Sequence, residues 1–211
     1  MNLRLFAFLL GASLLATGLA YAAEPTAEPN GDSNRAALKV VVESCSTCHG
    51  PSGRSVAPTF PILAAQQASY LELQLHAFKD QTRADPDAQA YMWGMAAPLS
   101  DAMIGELAAY YAKQPAAAGH AAGSAALIAR GEQIFKQGVP AKQVPACATC
   151  HGAHAEGMAS FPRLAGQHAP YLLKQLLVIQ SVLRTAPVMH GVIKDLTKDQ
   201  MGAVVAYLAS Q

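Results

Sequence analysis

The sequence predicts an all-α protein of two similar halves, each built from a few helices around one bound group. Three observations carry that expectation. Every cysteine falls in one of two five-residue stretches, Cys45-Ser46-Thr47-Cys48-His49 and Cys147-Ala148-Thr149-Cys150-His151. The order of segments around the first stretch recurs around the second. Several of the intervening segments read as capped, amphipathic helices. A chain of 211 residues has room for one or two domains of the usual size, roughly 100 to 150 residues, and the duplication favours two.

Taken in order, residues 1–23 carry Arg4, an apolar run from Leu5 to Leu19 and an Ala20-Tyr21-Ala22 ending. That pattern predicts a cleaved export signal. An uncleaved anchor is the alternative, but the run is short of the about 20 residues that a spanning helix needs. No later segment is long and charge-free enough to span, so the mature chain is expected to hold no transmembrane segment.

The first domain is placed at residues 24–114. After a polar terminus with two prolines, Arg35 to Ser44 reads as a short helix leading into the first cysteine stretch, and Gly50 to Arg54 as a turn. Gln67 to Lys79 reads as an amphipathic helix, Gln81 to Gln89 as a loop containing Pro86, and Ser100 as the N-cap of a helix running to about Lys113. Residues 115–124 are small, polar or helix-breaking and are expected to form the linker. The second domain, 125–211, repeats the order. A helix over about 125–137 precedes a loop around Pro140 and Pro145, and Thr197 with Gln200 forms the capping box of the last helix. The two copies are offset by 102 positions at the cysteines, 101 at Phe60-Pro61/Phe161-Pro162 and Tyr70-Leu71/Tyr171-Leu172, and 97 at the final cap. Only loops change length, which marks duplicated domains and not a solenoid.

Cys-x-x-Cys alone suits a redox dithiol or half of a zinc site. A histidine directly after the second cysteine is required by neither, and it occurs in both copies. Cys-x-x-Cys-His is the signature of c-type haem attachment, with two thiols reaching the two vinyl groups of one haem and the histidine offering a nitrogen to iron. The expected cofactors are therefore two covalently attached haems, one on Cys45, Cys48 and His49, the other on Cys147, Cys150 and His151. With the thiols so committed, disulfides are not expected even in an exported chain.

What fills the sixth position of each iron separates electron transfer from ligand chemistry. Aligning Gly94 with Gly191 and the caps Leu99-Ser100 with Leu196-Thr197 superposes Met92 on Met189, Met95 on Val192 and Trp93 on His190. Met92 and Met189 are therefore the expected axial ligands, against the alternative that they only fill the core. Pro61 and Pro162, 12 and 11 residues past their histidines, are proposed to accept the imidazole N–H. His76, His120, His154 and His168 are discounted as ligands.

Charge excludes a nucleic-acid binder, since the chain past residue 23 holds 14 acidic and 14 basic residues. The halves differ, with 10 acidic and 6 basic residues over 24–114 against 4 and 8 over 115–211. Such a dipole can steer partners or reflect drift in surface charge.

These residues resemble the class I cytochromes c. More narrowly, Phe-Pro-x-Leu-Ala-(Gly/Ala)-Gln, Tyr-Leu-x-x-Gln-Leu and the Met-x-Gly segment are similar to those of the di-haem cytochrome c4 family, across nearly all of the chain past residue 23. The resemblance implies two all-α cytochrome c domains in a bacterial periplasm, free or loosely held at the membrane, with haems facing one another near the interface. It implies His49 and Met92 on one iron, His151 and Met189 on the other. It further implies an electron carrier, not an enzyme, whose redox partners are a membrane-bound cytochrome complex or terminal oxidase. Two departures stand out: Ala65 where the second copy has Gly166, and 43 residues from His49 to Met92 against 38 from His151 to Met189. The alternative function is an electron-transfer subunit of a larger dehydrogenase such as a flavocytochrome. A di-haem peroxidase is disfavoured because methionines are expected at both sixth positions.

Overall fold

Helix stop signals set the architecture in both halves. The computed structural model describes residues 31–211, and the expected export signal lies outside the described residues. The first helix is longer than expected. α1 (Gly31–His49) runs unbroken through the first cysteine stretch, because no proline or glycine interrupts it after its start, and Gly50 ends it at φ 74°. A side chain at Gly50 would collide with the Arg54 carbonyl. In the second half α5 (Ala125–Gln137) stops at Gly138, φ 71°, and a turn at Pro140–Lys142 intervenes. The second cysteine stretch then sits on its own short helix, α6 (Ala148–His151).

α2 (Ala68–Lys79) and α7 (Ala169–Gln180) are the expected amphipathic helices. The final helices, α4 (Asp101–Ala112) and α9 (Lys198–Ala209), are capped as the sequence predicts. Ser100 accepts from Met103 N, and Thr197 with Gln200 forms the reciprocal capping box. The segment before each differs from a plain loop. Around Met92 the chain forms a π-turn (Ala88–Met92) continuing into α3 (Trp93–Ala96), and Met189 lies on α8 (Pro187–Ile193). Pro187 sits at the first turn of its helix, where a missing N–H costs nothing. Among the described residues there are no strands, only isolated bridges at Val139–Val144 and Met158–Phe161.

Each half has its own apolar core. In the first, α2 packs on α4 through Leu71, Phe78, Ile104, Leu107 and Tyr111. In the second, α5 crosses α9 around Phe135, Val204, Tyr207 and Leu208. The crossing is close because of Gly131, where any Cβ would run into the Ala203 carbonyl oxygen.

The halves meet through matched polar contacts that follow the repeat. Gln66 takes Arg163 N on Oε1 at 2.7 Å and donates Nε2 to Arg163 O at 2.9 Å. Gln167 takes Ile62 N and donates to Ile62 O, each at 2.9 Å. The next residues repeat the exchange, Gln67 donating to Glu156 O at 2.9 Å and His168 Nε2 to Ser55 O at 3.0 Å. The linker is tied down on both sides, with His120 N donating to Ala209 O and Arg54 to Pro115 O.

Candidate functional site

The last turns of α1 put Cys45, Cys48 and His49 on one face, since residues three and four apart stack on a helix. α6 does the same for Cys150 and His151 next to Cys147. All four thiols are free. Burial raises the Cys45 thiol above its usual value and pushes Cys147 up to about 11, so both are protonated at neutral pH. A redox dithiol or a zinc thiolate needs the opposite shift. Among the described residues, no group of three or more His, Cys, Asp or Glu is arranged to hold a metal ion.

Both histidines are 7% exposed, and each is oriented by a proline carbonyl as proposed from the sequence. His49 Nδ1 lies 2.9 Å from Pro61 O and His151 Nδ1 lies 3.0 Å from Pro162 O. A carbonyl can only accept, so Nδ1 carries the proton and Nε2 keeps the lone pair that a metal takes. Burial holds both imidazoles below the ordinary histidine value, partly offset by that carbonyl, so they are neutral at neutral pH. Phe60 and Phe161 set their edges against the two imidazoles, centroids 6.1 and 6.2 Å apart.

Met92 is half-buried and packs with Cys45 against the first core. Met189 packs on a second-half cluster of Val144, Ile179, Ile193 and Met201, while Cys147 packs on the neighbouring one. Val139, Leu173 and Leu176 touch both clusters. Met95 is 44% exposed, which suits a surface residue better than a ligand. Counted from Pro86 and Pro187, Met92 is six residues along and Met189 two, so the first half carries about one extra helical turn, widened into the π-turn. That turn accounts for most of the length difference seen in the sequence. His190, beside Met189, bonds Ile179 O at 3.0 Å. His168 and His120 face each other at the interface, ring centroids 6.1 Å apart, and neither reaches a cysteine stretch by any hydrogen bond.

Sequence reasoning missed the interface glutamines and the arginines Arg83 and Arg184. Gln66/Gln167 and Arg83/Arg184 each recur at the offset of 101, and that repetition of polar residues outside any helix-capping role was the available signal.

The residues fit a covalently bound haem in each half: two free thiols within a turn of each other and a neutral imidazole with Nε2 free. Comparison with known proteins agrees. A cytochrome c family profile matches residues 36–114 and again 128–211. Cytochrome c-552 of Acidithiobacillus ferridurans is 39% identical over 203 residues, 96% of this chain and 86% of that one. Cytochrome c4 of Pseudomonas aeruginosa is 37% identical over 214 residues, 99% and 98% of the two chains. A thiosulfate dehydrogenase electron acceptor of Thiomonas intermedia is 37% identical over 174 residues, 80% and 78%. Among solved structures, cytochrome c4 of Acidithiobacillus ferrooxidans superposes with a TM-score of 0.75 at 40% identity, covering 80% of this chain and 99% of that one. A thiosulfate dehydrogenase of Marichromatium purpuratum gives 0.73 at 28% identity, covering 82% of this chain and 39% of that one. The chain belongs to the cytochrome c family, as a di-haem electron-transfer protein of the cytochrome c4 type with two tandem all-α domains and two covalent c-type haems.

Proposed function

We propose that the protein is a periplasmic one-electron carrier whose domains, residues 24–114 and 125–211 joined by the linker 115–124, each close their iron between a histidine and a methionine. Each haem supplies one reversible electron equivalent. Cys45, Cys48, Cys147 and Cys150 would anchor the two groups. His49 and His151 would bind the irons through Nε2 while Pro61 and Pro162 hold the rings, and Met92 and Met189 would each supply a thioether ligand. The observation that carries this reading is the paired histidine–proline geometry, the same in both halves to 0.1 Å. A ring fixed in this way needs little rearrangement when its charge environment changes, which suits a carrier.

Intact mass and haem assay should give two haems per chain. The oxidised protein should show the weak long-wavelength band of a thioether-bound ferric iron, reduced in Met92→Ala or Met189→Ala and lost in the double variant. Ready uptake of carbon monoxide by either iron of the unaltered protein would overturn the closed-site reading.

Delivery between respiratory partners is the leading role, with a membrane-bound cytochrome complex or terminal oxidase as acceptor. Among the described residues no helix is long and apolar enough to cross a membrane. The acidic first half and basic second half would orient encounters, so association rates with a charged redox partner should fall steeply with added salt. A flat dependence would remove that role for the dipole.

The likeness to a thiosulfate dehydrogenase electron acceptor favours a second reading, in which the chain accepts electrons from a dehydrogenase. Co-purification with a catalytic chain, and reduction of both haems on adding that chain's substrate, would select it.

A further inference from the structure

Beside the first cysteine stretch, the hydroxyl of Tyr111 is buried with no hydrogen-bond partner. The residue is 3% exposed and lies in the first apolar core, with Cys45 packed against that core. An unpaired phenol at such depth costs stability, so native interiors rarely keep one without a reason.

The repeat supplies an internal comparison. Ala65 N bonds Tyr111 O and Gly166 N bonds Leu208 O, so Leu208 is the equivalent residue of the second half, and it carries no hydroxyl. A second exchange makes room for the larger ring. Gly53 O takes the N–H groups of Leu63 and Ala64, as Ala155 O takes those of Leu164 and Ala165, which makes Gly53 and Ala155 equivalent. A Cβ at Gly53 would lie 2.8 Å from the Tyr111 ring, whereas Ala155 carries one and is fully buried in the core that holds Leu208. Glycine with tyrosine in one half and alanine with leucine in the other keep the core filled, and the first pair adds a donor.

Cys45 and Ser46 are the polar side chains that influence the phenol, though neither stands in hydrogen-bond geometry to it. Ser46 Oγ already donates to Val42 O at 2.7 Å. Burial raises the Tyr111 pKa, so the hydroxyl keeps its proton and can donate. Burial also raises the Cys45 thiol, and the phenol offsets part of that rise as a neighbouring donor. Haem attachment adds a thiol across a vinyl double bond, sulfur to one carbon and hydrogen to the other. The sulfur is then left with lone pairs only, an acceptor for a donor that has none.

We propose that Tyr111 donates a hydrogen bond to the thioether sulfur of Cys45, and that this donor, which the second domain lacks, raises the reduction potential of the first haem. This rests on the two-haem reading above. The positive end of the O–H, directed at an atom bonded to the macrocycle, favours the reduced form. It biases an added electron toward the first domain.

The test uses the full-length holoprotein. The haem count of the unaltered protein checks the two-haem reading first, independently of Tyr111. A redox titration followed by nuclear magnetic resonance of the haem methyl groups, assigned by their Overhauser contacts with each domain, then gives the two potentials separately. Tyr111→Phe keeps the ring and is expected to lower the potential of the first haem while leaving the second in place. Gly53→Ala with Tyr111→Leu, which copies the second half's pair, should lower the same potential. Tyr110→Phe removes a hydroxyl from the neighbouring ring, whose centroid is 5.0 Å away, and should move neither centre. An unmoved first potential in Tyr111→Phe, or an equal fall at both haems, would overturn the proposal. So would a Ser46→Ala variant that reproduces the fall, since the acceptor would then be the serine hydroxyl.

Discussion

Ala65 and Gly166 occupy equivalent positions and adopt the same left-handed backbone, φ 56° and 72°, with their N–H groups bonded to Tyr111 O and Leu208 O. A non-glycine residue in that region costs roughly 1–2 kcal/mol. The second copy has reason to avoid it further: a Cβ at Gly166 would lie 2.9 Å from the linker carbonyl of Ala117. The linker thus explains why glycine is required in one half only. Ala65→Gly should relieve the strain and, after the extra chain entropy of glycine, stabilise the holoprotein by about 1 kcal/mol. Gly166→Ala should destabilise by more than that, because steric overlap adds to strain. Urea unfolding of the two variants beside the parent measures both, and a destabilising Ala65→Gly would show that the backbone energy is met elsewhere.

At the scale of elements, legibility followed periodicity and capping chemistry. Ser100, Thr197 and Gln200 marked the starts of α4 and α9 because local side-chain-to-backbone bonds leave a sequence signature. The histidines and their proline acceptors were readable for the same reason, being fixed by short spacings. The π-turn at Ala88–Met92 was not, since polar residues around Pro86 look like a loop until packing against the core is known. Gln66, Gln167 and the arginine pair were hidden because their partners lie about a hundred residues away, and nothing local distinguishes them from surface residues. The α5–α9 crossing was equally silent. It depends on Gly131 as an absence of atoms, so Gly131→Ala should force the helices apart and cost about 1–3 kcal/mol, as overpacking does. Thermal unfolding of the holoprotein would show this as a lower Tm, while Gly202→Ala on the open side of α9, with nothing near its would-be Cβ, should leave Tm unchanged or raised.

For the whole molecule, what matters is how firmly the hydrogen bonds across the interface hold the two domains together. Most of its hydrogen bonds are matched in pairs, and one pair mixes chemistry: Gln67 on one side, His168 on the other. Burial lowers the His168 pKa below the ordinary value, outweighing the Ser55 carbonyl that raises it, and His120 opposite lowers it further when charged. The folded state therefore binds fewer protons at His168 than the unfolded chain does. The resulting stability is fully present above the unfolded histidine value of about 6.5, and it is lost as pH falls from there toward the lowered folded pKa. Glutamine, which the first half already uses at this position, can donate the same bond without titrating. His168→Gln should accordingly match the parent above neutral pH and lose less stability than the parent as the solution is acidified. His49 and His151 shift in the same direction, but they are present in both proteins, so the difference between the two unfolding curves isolates His168. Parallel curves for parent and variant across that window would mean that the interface does not register its protonation.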